Sequence, residues 1–222
     1  MIRWSLALLM LMLASTGWAQ TPPSPAQIAA YEGLHKAAHE NDVPAIQTLI
    51  AEGVDLNRRD GNGRTPAHVA AFASSDEALA ALASAGADMN ALENGRYDVV
   101  TIAAVANDPQ LMSLAIKLGN DPGLTTSVYD GTALIAAAHL GHHEVVRRLI
   151  KAGAPLDHIN NLGWTALIEA VILGNGGPNH TATVEALVRA GADRTIADRN
   201  GITPLQHAQS RGFKEMERLL TE

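Results

Sequence analysis

Apolar residues in this chain fall in short helical stripes, each closed by a glycine, and the stripes recur. Val145, Val146, Leu149 and Ile150 follow an i, i+1, i+4, i+5 pattern along one helix face, with Gly153 just beyond. Comparable runs end at Gly53, Gly86, Gly119 and Gly191, so the five glycines lie 33, 33, 34 and 38 residues apart. Glycine in that place is the favoured left-handed cap of a helix C-terminus. A second column keeps the same register: Thr65, Asp98, Thr132, Thr165 and Thr203, spaced 33, 34, 33 and 38. Threonine and aspartate cap helix N-termini. Each period therefore predicts one helix opened by a cap and a second closed by a glycine. The expected fold class is an all-α repeat solenoid.

About six units follow, at 28–60, 61–93, 94–127, 128–160, 161–198 and 199–222. The 38-residue spacing has a local cause. In the fourth unit the two helices join through Leu140-Gly141-His142-His143-Glu144, and in the fifth Gly174 matches Gly141 and His180 matches His142. Asn175 to Asn179 are then five extra residues, after which Val184, Leu187 and Val188 resume the stripe. This stretch reads as a loop insertion, either a tolerated decoration or a partner contact. It lacks the lysine and the preceding strand of a phosphate-binding P-loop.

The period and its motifs resemble the ankyrin repeat, a unit of about 33 residues with a T-P-L-H-x-A signature. The second unit has Thr65-Pro66-Ala67-His68-Val69-Ala70 and the sixth has Thr203-Pro204-Leu205-Gln206-His207-Ala208. Ala-Gly-Ala-Asp at 85–88 and 190–193 is typical of the same family. The resemblance covers roughly residues 28–222. It implies helix-turn-helix units joined by hairpin-like loops, with His35 and His68 bonded to neighbouring loop backbone. It also implies a concave face of hairpin tips and inner helices that binds a protein partner.

The front of the chain has a different pattern. Residues 1–19 combine basic Arg3, the apolar run from Trp4 to Leu13 and a small-residue end, with Gly17 and Ala19 at the −3 and −1 positions. That three-part order is a secretory signal peptide, with cleavage before Gln20. Residues 20–27 are expected to be a Pro-rich, extended leader with no means of packing. The layout is similar to small exported ankyrin proteins of Gram-negative bacteria, which places the protein in the periplasm. A eukaryotic secretory signal has the same form.

Composition narrows the function. Formal net charge is −7, and loss of Arg3 leaves 15 basic residues against 23 acidic, a formal −8. Nucleic acid and anionic membranes need a basic footprint, so neither is an expected partner. The absence of cysteine excludes disulfides and thiolate metal sites. His139, His142 and His143 lie close together, but no further ligand at a known spacing completes a metal site. No nucleophile elbow or cofactor motif appears. The expectation is a non-enzymatic monomer without cofactor or metal that binds a protein. An inhibitor or immunity protein, and more remotely an enzyme or metalloprotein, are the alternatives.

Candidate contacts lie in two columns. The position before each helix cap holds Arg64, Tyr97, Gly131, Trp164 and Ile202, and in ankyrin repeats it is usually exposed on the tip side. An inner-helix column holds His39, Phe72, Val105, His139 and Ile172. With Tyr129 from the next tip, the expected partner-binding set is Arg64, Phe72, Tyr97, Tyr129, His139, Trp164 and Ile172. Tyr97 and Trp164 are the expected anchors, unless the rings pack against adjacent tips instead.

Overall fold

The computed structural model describes residues 20–222, and the predicted signal peptide lies outside them. Six helix pairs follow one short leading helix, α1 (Pro25–Ala29). The inner members are α2 (Gly33–His39), α4 (Pro66–Ala73), α6 (Val99–Ala106), α8 (Ala133–Leu140), α10 (Ala166–Ile172) and α12 (Pro204–Arg211). The outer members are α3 (Val43–Ala51), α5 (Asp76–Ser84), α7 (Pro109–Lys117), α9 (His143–Lys151), α11 (Pro178–Arg189) and α13 (Lys214–Thr221). No strand is present among the described residues, only an isolated bridge between Thr126 and Gly131.

The repeat explains the packing. Ala37-Ala38, Ala70-Ala71, Ala103-Ala104 and Ala137-Ala138 are buried at equivalent places, and each inner helix packs on the next in chain order. Alanine there lets the helix axes approach closely. The apolar stripes of the outer helices, such as Leu79 with Leu82 and Val145 with Leu149, complete the core. Each unit is thus buried by its neighbours, as in other repeat stacks. The capping glycines Gly53, Gly86, Gly119, Gly153 and Gly191 all have positive φ, between 76° and 99°.

The third unit shows how a changed cap is accommodated. Asp98 caps α6 by accepting from the Thr101 N–H, and its other oxygen accepts from Asn120 Nδ2 at 2.8 Å. Asn120 stands where the other units have Val54, Ala87, Ala154 and Ala192 after the capping glycine. An apolar residue there would leave a buried carboxylate oxygen unpaired. Burial pushes the Asp98 carboxyl above its ordinary value, although these hydrogen bonds oppose the shift.

Two expectations need correction. The leader is not an unpacked extension. Ser24 and Gln27 form a reciprocal capping box that opens α1, and Pro25 occupies its first turn. The Thr21 carbonyl accepts from Arg64 Nη1 at 3.3 Å. The insertion is also not purely a loop. Pro178 and Asn179 extend α11 by providing its first turn, because proline already has a helical φ. The positive-φ turn falls at Gly176 (φ 71°), which lies against the Phe213 ring with no room for a Cβ. Arg211 donates to the Gly174 carbonyl at 2.8 Å and stands 4.8 Å over the same ring, so the insertion leans on the sixth unit. His180 still points back to the preceding unit, 2.9 Å from the His139 carbonyl, as His142 does to the Ala104 carbonyl at 2.8 Å.

Candidate functional site

The hairpin tips are built from one backbone plan. The carbonyl of the residue before each helix cap accepts the N–H that closes the hairpin: Asp60 to Arg64, Glu93 to Tyr97, Thr126 to Gly131, Asn160 to Trp164 and Asp198 to Ile202. At the tips that open the second, fifth and sixth units an Asp or Asn side chain braces the turn from inside. Asp60 accepts from Asn62 and Arg64 N–H groups, Asn160 from Leu162 and Trp164, and Asp198 from Asn200 and Ile202. Further bonds lace tip to tip, from Asn94 to Asn62, Ser127 to Arg96 and Asn161 to Tyr129.

This plan decides which predicted contacts are accessible. The side chain before the cap is buried at Arg64, half-buried at Tyr97 and Trp164 and exposed at Ile202, and the outward apex of each hairpin lies a few residues earlier. Arg64, expected to be exposed, is 1% exposed. Its Nε binds Asp60 at 2.9 Å, and Asp60 also accepts from the Tyr31 hydroxyl at 2.9 Å. Burial pushes the Asp60 carboxyl up, but the N–H groups of Arg64 and Asn62, the Tyr31 hydroxyl and the Arg64 charge together hold it below its ordinary value. The Tyr31 phenol is pushed up to about 12 by burial and by its bond to that carboxylate. Tyr97 and Trp164 are half-buried, which leaves them mixed candidates.

What does face outward is an apolar row on the later tips. Among the described residues seven large hydrophobic side chains are exposed, and five of them belong to hairpin tips: Val128, Tyr129, Ile159, Leu162 and Ile202. Tyr129 is 40% exposed and Ile159 52%. Only Tyr129 was in the predicted set. A count of apolar residues at the apex would have found Val128, Ile159 and Leu162, while Ile202 lies in the column before the cap.

The inner-helix candidates divide. Phe72 is half-buried, packs on the core and lines a cavity of ≈220 Å³ with Ile102, Val105, Gln20 and Pro22. Ile172 is half-buried. His139 is exposed, and its Nδ1 lies 3.2 Å from Glu169, a buried carboxylate that also accepts from Asn160 Nδ2 at 2.8 Å. His139, His142 and His143 do not converge, and no group of three or more His, Asp or Glu among the described residues is placed to hold a metal. No described helix is long and apolar enough to cross a membrane.

Histidines in the first units do another job. His35 Nε2 lies 3.0 Å from the Arg64 carbonyl, and His68 Nε2 lies 3.0 Å from the Tyr97 carbonyl. Each ring thus ties its helix to the following tip. The His68 Nδ1 accepts from the Thr65 N–H, which leaves the ring proton on Nε2. Burial pushes the His68 imidazole down to about 4, so it is neutral in the folded protein.

Comparison with known proteins agrees with this architecture. Models of ankyrin repeats match residues 34–76, 62–94 and 100–193. The putative ankyrin repeat protein YahD of Escherichia coli is 32% identical over 185 residues, covering 83% of this chain and 92% of YahD. The crystal structure of an ankyrin repeat domain from Acinetobacter baumannii superposes with a TM-score of 0.79 at 43% identity, covering 85% of this chain and 95% of that one. The ankyrin repeat domain of Bcl-3, a member of the IkappaB family, has a TM-score of 0.77 at 26% identity and 86% coverage of both chains. Stacks of this kind are protein-interaction modules, and the chain belongs to the ankyrin-repeat family.

Proposed function

We propose that the mature protein begins at or near Gln20, acts in the bacterial periplasm, and serves as a non-enzymatic scaffold for one protein partner. The partner docks on the hairpin tips of the fourth to sixth repeats, reaching into the concave face beside His139 and Ile172. One observation carries this reading. Five of the seven large hydrophobics exposed among the described residues are gathered on those tips, whereas scattered single exposures would need no explanation. The surrounding tips are held by backbone bonds from one unit to the next, so the row is displayed without much ordering cost. The signal-peptide pattern supports export, and the net negative charge favours a partner with a basic rim.

Affinity capture from the exporting compartment, followed by mass spectrometry, tests the reading. Wild-type protein should capture a partner that the double variant Tyr129→Ser, Ile159→Ser does not. Equal capture by both would remove the tips as the site. A captured enzyme that loses activity on binding would make the scaffold an inhibitor. Retention of Met1 to Ala19 in the native protein would remove the periplasmic assignment.

A further inference from the structure

The start of the leader, Gln20 to Pro22, reaches the concave groove. Gln20 and Pro22 share a cavity with Phe72 of α4 and with Ile102 and Val105 of α6. The Thr21 carbonyl between them accepts from Arg64, whose guanidinium is itself held by Asp60. Beyond Ser24 the capping box fixes where α1 begins. One detail stands out against this order. The side-chain amide nitrogen of Gln20 is buried yet has no hydrogen-bond partner. Such a donor loses its hydration and gains nothing in return.

Gln20 has a special chemistry if it is the first residue, and the inference rests on the proposed cleavage after Ala19. We propose that Gln20 is a modification site, which closes to pyroglutamate, and that the resulting lactam docks on Phe72, Ile102 and Val105. The freed α-amino nitrogen attacks the side-chain carbonyl carbon, Cδ. A C–N bond forms to close the five-membered ring, and the bond from Cδ to Nε2 breaks. A proton passes from the amine to the departing nitrogen, and one ammonia leaves. No oxidant or other co-reactant is needed.

The groove favours the closed product for two reasons. The nitrogen that leaves is the buried one that has no partner. The open form would also carry an ammonium at neutral pH on a residue that lines this largely apolar cavity, where a charge is poorly solvated. Asp108 is the carboxylate lining the cavity, and it is already engaged in capping α7 through the N–H groups of Gln110 and Leu111. The lactam is neutral and compact. Tethered through Thr21 to Ser24, it meets the groove at high effective concentration and fills the apolar surface of the second and third repeats from within the same chain.

Mass spectrometry of the N-terminal peptide, from protein freshly extracted from the exporting compartment and digested in acid, tests the chemistry. The expected peptide begins at Gln20 and is lighter by one ammonia. A peptide beginning at Gln20 with a free amine would overturn the modification while leaving the export reading intact. A peptide beginning elsewhere would overturn that reading and the modification with it. Docking is tested separately by methyl NMR of the mature protein. Ile102 and Val105 signals should shift when pyroglutamyl aminopeptidase removes the lactam, and should shift likewise in Gln20→Ala. Unchanged methyl signals after removal would overturn the docking.

Discussion

The tips of the second and fifth repeats share one backbone and use it in opposite ways. Asp60 and Asn160 close their hairpins with the same pair of side-chain-to-backbone bonds. In the second repeat the tip is then bound into the stack. Arg64 turns inward onto Asp60, which also accepts from the Tyr31 hydroxyl, the His35 ring reaches the Arg64 carbonyl, and the leader lies over the groove. In the fifth repeat the position equivalent to His35 and His68 in the preceding repeat is Ile135, which has no polar group to offer the tip, while Ile159 and Leu162 project outward. The early repeats spend their tip chemistry on internal order, and the later repeats present theirs to solvent. An identical fold can thus hold a sealed region and an open one.

The sharpest way to break this contrast is to remove Arg64. Arg64→Ala should cost about 3 kcal/mol or more, because it leaves Asp60 without its buried partner. Urea unfolding measures it, and a loss below 1 kcal/mol on the order of a surface pair would mean the early tip is not sealed.

Acid should act on the early repeats next. His68 titrates at about 4 folded, against 6.5 as a free side chain, so the unfolded chain binds the extra proton between those values. The stabilisation is complete above pH 6.5 and is lost as pH falls toward 4, amounting to about 3 kcal/mol over the window. His68→Gln copies Gln206, which forms the equivalent capping box in the sixth repeat. That variant should flatten the pH profile of thermal unfolding in this range. An unchanged profile would show that His68 is not the group responsible.

Tyr129→Ser with Ile159→Ser should do the reverse. Partner affinity should weaken by roughly 2 kcal/mol, as loss of an exposed apolar anchor does. Stability should change by no more than about 0.5 kcal/mol, since neither residue lies in the core. A large loss of stability with intact binding would merge the two regions into one kind. The smallest effect belongs to Arg96→Ala. Its pair with Asp130 spans 2.9 Å but both side chains are nearly half exposed. Less than about 1 kcal/mol is expected, and the comparison with Arg64 isolates burial as the variable.

Part of this was legible from residue order alone. A helix cap, an apolar stripe and a terminating glycine are local, and each acts within a few residues through backbone geometry. They placed the six helix pairs, the Asp98 cap and the insertion, because a 33-residue period brings the same groups to the same place each time. The candidate site was legible only in part. Tyr129 is outward as expected, but Arg64 is sealed, and Tyr97 and Trp164 are half-buried, because the exposure of a side chain before the cap depends on the groups folded around it, as Asp60 and the Thr21 carbonyl are around Arg64.

The amino-acid sequence by itself determined the repeat, its family and its net acidity, since these follow from local propensities repeated in register. Tertiary structure decided what each tip shows. Tyr31 meets Asp60 only when repeats one and two stack, and Gln20 finds Phe72 and Val105 only when the leader folds back across the groove. Those contacts join residues about 30 to 85 positions apart in the chain. Their energy comes from burial and desolvation, which no stretch of sequence experiences until its neighbours have excluded the water.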